Sequence, residues 1–259
     1  LPLRAEPVDG AVAAADREAP WRARWIADAD APPNGPGVSH FRKSFDLGKV
    51  PPRFPVRVSA DNRYRLYVNG VAVADGPARG DVMHWRYESV DIAGHLRPGR
   101  NVIAAQVWNM GDLRPFAQVS LRTAFVLQGE MAEAAAIDTG IDGGDGWKVF
   151  SHQARTFTPV TGEGSGGFYA AGPNESIDAA LVPWGWEGVA YDDAGWQAAT
   201  PVSLPVGWAG GLPRGSHPYG AAAQWQLVAR TIPMMERSPQ VFAALRRAQG
   251  IAVPAGFVA

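Results

Sequence analysis

The chain has 259 residues, with 24 Lys+Arg against 25 Asp+Glu and a formal net charge of −1. That balance excludes the basic footprint of a nucleic-acid binder, and no apolar run approaches the roughly 20 residues that cross a bilayer as a helix. With no cysteine, disulfides, thiolate nucleophiles and zinc–thiolate sites drop out as well.

Hydrophobic residues at 46% and charged residues at 19% are the balance of a folded chain. Neither nucleic acid nor a membrane is therefore expected as a partner. Ten tryptophans, 30 glycines and 22 prolines point to many turns and several aromatic surfaces. Among the cationic residues only Lys43, Lys49 and Lys148 are lysine. The arginine bias suits anion recognition by guanidinium forks, or simply follows GC-rich codon usage.

Residues 1–37 read as an N-terminal extension or linker. They hold one aromatic patch, Trp21 to Ile26, and end in the turn cluster Pro32-Pro33-Asn34-Gly35-Pro36-Gly37. Regular structure is expected from His40, where Phe41, Lys43 and Phe45 alternate with Arg42 and Ser44 at the period of a half-buried strand. Val56–Ala60 and Tyr64–Val68 follow, and then Asn69-Gly70. That dipeptide between alternating runs is the strongest short-range hairpin signal. Further strands are expected over 86–92, 101–108, 119–128, 147–150 and 225–232, with a helical turn or loop over 131–136. A helix is expected from about Pro239 to Gln249, capped by Ser238 and stopped by Gly250. Short strands, Gly/Pro turns and no intervening helices define an all-β fold, an antiparallel sandwich or jelly roll. It is placed at residues 38–236 with a loop-rich insertion near 130–223; residues 237–259 read as a linker.

The chemistry of sites is thinner. No two of the histidines 40, 84, 95, 152 and 217 stand at metal-ligand spacing. Asp138, Asp142 and Asp145 among glycines miss the calcium-loop template and read as turn formers, so neither metal nor cofactor is expected. Glu175 and Asp178, three apart in an extended segment, point to opposite faces and make no catalytic pair. Asp192-Asp193-Ala194-Gly195 reads as a turn that positions Trp196.

Aromatics beside polar tips remain. An indole or phenol face packs on the C–H face of a sugar while polar neighbours take its hydroxyls. The loop 76–85, with Arg79, Asp81 and Trp85, and the tip Asp61-Asn62-Arg63 combine these types. Asp61, Asn62, Arg79, Asp81 and Trp85 are therefore the candidate sugar-binding residues. Trp184 or Trp186 could add a second platform. The alternative is that Trp85 packs at the sandwich edge and Arg79 pairs with Asp81 in a structural turn.

Four stretches carry a family resemblance. Ser59 to Gly70 followed by Gly76 to Asp81 is the first, and Tyr87 to Trp108 the second. The third runs through Glu175-Ser176-Ile177-Asp178-Ala179, Gly185-Trp186 and Tyr191-Asp192-Asp193-Ala194-Gly195-Trp196; the fourth is Trp225 to Glu236. Together they resemble the N-terminal region of bacterial α-L-rhamnosidases, glycoside hydrolase family 78. Asn174 and Ala180 depart from the Gly and Arg of the third run. The first two stretches are shared with family 2-like glycosidases.

The resemblance implies a galactose-binding-like jelly roll ahead of a large helical barrel that hydrolyses terminal α-L-rhamnosides with inversion, using two carboxylates. Nothing here matches that barrel, so no catalytic residue is assigned. The expected partners are rhamnose-containing glycosides or polysaccharides and the protein's own C-terminal catalytic domain. A stand-alone carbohydrate-binding module is the rival reading, followed by the sugar-binding domain of a family 2-like glycosidase. The enzyme family and a start at Leu1 without methionine lead to an expected periplasmic or secreted location, with the cytoplasm as alternative.

Overall fold

The computed structural model describes residues 21–115, 118–140, 146–159, 172–202 and 225–238, together with 247, 249 and 250. Its strands are β1 (Ile26–Ala27), β2 (Gly37–Leu47), β3 (Pro55–Asp61), β4 (Arg63–Val68), β5 (Val71–Gly76), β6 (Trp85–Asp91) and β7 (Gly99–Asn109). They continue with β8 (Ala124–Gly129), β9 (Lys148–His152), β10 (Arg155–Thr158), β11 (Asn174–Ile177), β12 (Gln197–Ala198), β13 (Thr200–Pro201) and β14 (Leu227–Ala229). Two six-stranded sheets run β13-β1-β8-β3-β6-β14 and β12-β9-β2-β7-β4-β5, beside a ribbon of β10 and β11. The chain is an all-β sandwich, as the short strands and Gly/Pro turns imply.

Alternation along the strands builds the core. Phe41, Tyr64, Leu66, Val68, Ile103, Ala105 and Val107 from one sheet meet Val56, Val58, Ala60, Val90, Phe125 and Leu127 from the other in one buried cluster. Residues between these positions face outward, because successive side chains of a strand alternate sides. The hairpin between β4 and β5 turns at Asn69 and Gly70, with φ of 51° and 86°, the pair of positive values a type I′ turn requires. The Asn69 amide also ties the turn to its neighbours. Its Nδ2 donates to the His95 carbonyl at 2.8 Å, and its Oδ1 accepts from the Val102 amide at 2.9 Å.

Two expectations change. The described part of the extension, residues 21–37, joins the sandwich: Ile26 pairs with Phe125 and Pro201, and Trp25 stacks on Trp225 with ring centroids 4.2 Å apart. Two residues are too few to show a period, so the strand left no pattern. The strand expected over 119–128 starts only at Ala124, because the Leu121 and Arg122 amides go to the Asp61 carboxylate instead of a neighbouring strand. The turn near 131–136 is a 3-10 helix, Ala132–Ile137. The helix expected over 239–249 lies almost wholly outside the described residues, as do Asp142 and Asp145.

Irregular segments are fastened by buried charge. Arg42, fully buried on the outward side of β2, donates to Asp193 Oδ2 at 2.5 Å, to the Gly188 carbonyl at 3.0 Å and to the Trp186 carbonyl. Lys148 reaches Asp193 Oδ1 at 2.7 Å. These bonds press Trp186, Val189, Tyr191 and Trp196 onto Val102 and Ala104. Trp186, expected as a sugar platform, is thus 6% exposed and part of this packing, whereas Trp184 is 71% exposed.

Replacing Gly70 by alanine puts a Cβ on a residue at φ 86° and should cost about 1–2 kcal/mol. Urea denaturation of the variant checks this; an unchanged midpoint would mean the turn relaxes freely.

Candidate functional site

Three segments meet at one end of the sandwich: the β3–β4 junction, the β5–β6 loop and the stretch after residue 117. Between them lies a small cleft lined by Asn62, Arg63, residues 77–80, Trp85, Gln118 and Val119. Three of the five expected sugar-binding residues, Asn62, Arg79 and Trp85, therefore line one space. The free volume is about 30 Å³, room for roughly two water molecules and not for a sugar ring.

Asp61 stands beneath the cleft, not in its wall. Its side chain is wholly buried and accepts four hydrogen bonds, from Ser120 Oγ and the Leu121 amide at 2.6 Å, Trp225 Nε1 at 3.1 Å and the Arg122 amide at 3.2 Å. Burial pushes its carboxyl up to about 6, and the four donors oppose that rise. Such a group supports the cleft and does not reach a ligand.

The β5–β6 loop is held by Glu88. Its Oε1 accepts from the Ala78 amide at 2.8 Å and from Arg230 at 3.2 Å, while Tyr64 donates its hydroxyl to Oε2 at 2.7 Å. Burial raises the Glu88 carboxyl above its ordinary value. Gly76 is required here, because a Cβ would run into the Glu88 carboxylate and meet the Tyr64 ring at 2.7 Å.

The other expected residues fall out as follows. Trp85 is 4% exposed, donates Nε1 to the Ala60 carbonyl at 3.2 Å and sits edge-on to Trp225. It is a wall of the cleft, closed to face stacking. Asn62 spends its amide on the Val119 carbonyl at 2.9 Å. Asp81 caps its own turn, accepting from the Met83 and His84 amides at 2.8 and 3.0 Å. Arg79 is exposed on the rim. Arg63 and Gln118 went unassigned in the sequence; Arg63 stood in the tip already named, but nothing local shows that Gln118 comes beside it. Glu175 is ion-paired with Arg155, and the Asp178 carboxylate accepts from the Ala180 amide at 3.0 Å.

No protein-family model matches the chain. An α-L-rhamnosidase of Streptomyces avermitilis is 26% identical over 129 residues, which are 48% of this chain and 12% of that protein. Among solved structures, the GH78 family rhamnosidase of Bacillus sp. GL1 superposes on 83% of this chain with a TM-score of 0.64 and 28% identity. The chain resembles part of a rhamnosidase. A second one, from Dictyoglumus thermophilum, shares the fold at a TM-score of 0.53 and 20% identity over 82% of this chain. This chain spans 20% and 22% of those two structures, so the likeness concerns one region of much longer proteins.

Asp61 gives the site a pH signature. A carboxyl whose folded pKa lies above its unfolded value keeps its proton longer in the folded state, so stability falls as pH rises from about 4 to about 6. The Asp61 share is roughly 3 kcal/mol at most, and Glu88 adds in the same direction. In Asp61→Asn, urea midpoints measured across this window should show a shallower fall, together with lower overall stability. An unchanged slope would remove Asp61 as its source.

Proposed function

We propose that the chain is the accessory β-sandwich of a glycoside hydrolase acting on terminal α-L-rhamnosides, with catalytic carboxylates supplied by residues outside these 259. The observation that carries this reading is the 28% identical rhamnosidase whose fold matches 83% of the chain. On this reading, one carboxylic acid outside the chain protonates the leaving oxygen while a carboxylate activates water on the opposite face, and the anomeric centre inverts. The acids buried among the described residues are committed to other work: Asp61 and Glu88 hold loops, Asp138 binds Arg22, and Asp28 accepts from the Asp30 amide, while the half-buried Asp193 binds Arg42 and Lys148.

The sandwich would present rhamnose-containing glycans to the catalytic part at the mouth of the cleft at its loop end, with the exposed Arg79 on the rim nearest the sugar. A stand-alone binding module is the second reading, favoured by the cleft lying within this chain alone.

The test compares the complete gene product with the 259-residue chain on 4-nitrophenyl α-L-rhamnoside. The complete product should release nitrophenol, with β-L-rhamnose as first product by NMR, and the chain alone should not. Comparable turnover by the chain alone would put the carboxylates inside it and overturn the proposal.

A further inference from the structure

Two arginines converge on the cleft without a counter-charge. Arg63, half-buried at the start of β4, and Arg79, exposed on the β5–β6 loop, both line it. Among the described residues neither has a carboxylate partner, although ten other basic side chains are ion-paired: Arg22, Arg42, Arg53, Arg57, Arg65, Arg114, Lys148, Arg155, Arg230 and Arg237. The acids nearest in sequence are committed elsewhere, Asp61 to the amides and hydroxyl beneath the cleft and Asp81 to its own turn. Burial, and then the like charge of Arg79, hold the Arg63 guanidinium below the usual arginine range. An anion between the two would relieve both effects.

The walls favour such an occupant. Trp85 and Val119 are low-polarity surfaces, which strengthen a charge interaction beside them. Room for about two waters is also room for the two oxygens of a carboxylate, while the ring bearing it stays outside. Guanidinium forks match a planar carboxylate through paired N–H donors.

We propose that this cleft is an anion subsite that takes the carboxylate of a uronic acid unit in an acidic, rhamnose-containing polysaccharide, bound between Arg63 and Arg79. The proposal deepens the saccharide-binding part of the reading above and rests on it. The arginine bias of the sequence has a specific use at these two positions.

Calorimetric titration of the 259-residue chain at low ionic strength tests it, using methyl β-D-glucuronide, methyl β-D-glucoside, methyl α-L-rhamnoside and sodium sulfate. The glucuronide should bind about tenfold or more tighter than the glucoside, as loss of a charge-assisted contact predicts, and should weaken with added salt. Arg79→Gln should abolish the preference with an unchanged Tm, because Arg79 is exposed and unpaired; Arg63→Gln is the second variant. Equal binding of glucuronide and glucoside, or a preference that survives Arg79→Gln, overturns the proposal. If rhamnoside binding persists in that case, the rhamnoside reading stands without the anion subsite. Sulfate binding as tightly as the glucuronide assigns the cleft to a free anion and also overturns the proposal, as does binding of none of the four.

Discussion

A single buried carboxylate sets the end of the sandwich where the cleft lies. Asp61 closes β3, and its two oxygens accept four donors from segments that share no strand ladder with one another: Ser120, Leu121, Arg122 and Trp225. Leaving any of those donors unpaired in the interior would cost about 1–3 kcal/mol. The chain after residue 117 and the approach to β14 are therefore brought to the same corner. Val119 then forms one wall of the cleft and Trp85, packed against Trp225, another.

The same device recurs. Glu88 gathers the β5–β6 loop and, through Arg230, the segment after β14, which runs in parallel beside β6. Arg42 gathers residues 186–193 over the outer side of β2 and β7. Without disulfides, the irregular parts of this fold are located by buried charges whose every partner is specified. Truncating one member of such a set leaves the other charge buried and unpaired, a loss of about 3–5 kcal/mol. That asymmetry makes these residues strict about geometry even where their net contribution to stability is modest. Arg63 and Arg79 have no carboxylate partner among the described residues, and what distinguishes them from other basic residues without one is that both line the same cleft.

Long, regular elements were legible because period and turn chemistry are local. The alternation of Leu66 and Val68 and the Asn69-Gly70 turn appear in the structure as the pattern implies; the run through Phe41 and Phe45 is a strand as expected but not a half-buried one, because residues 186–193 cover Arg42 on its outer face. The extent of β8 was misread because Leu121 and Arg122 look like strand residues, yet their amides have a carboxylate 60 residues away as acceptor. β1 was invisible for a different reason: its two residues derive their strand character entirely from Phe125 and Pro201. The polar tip and loop of the candidate site were found from residue type, but their roles were not. Asp61 and Trp85 have the chemistry of sugar ligands, and burial gives them structural work.

The amino-acid sequence by itself determined an all-β chain, the main strands, the hairpin at Asn69-Gly70 and the residue types available for sugar contact. It also determined the resemblance to rhamnosidases, because motifs such as Tyr191 to Trp196 are contiguous. Only the tertiary structure decided which polar residues face inward, which loops share a corner, and that two arginines line one cleft there with no carboxylate partner among the described residues. Burial and charge pairing depend on residues far apart in the chain, and a local pattern carries no information about such distances.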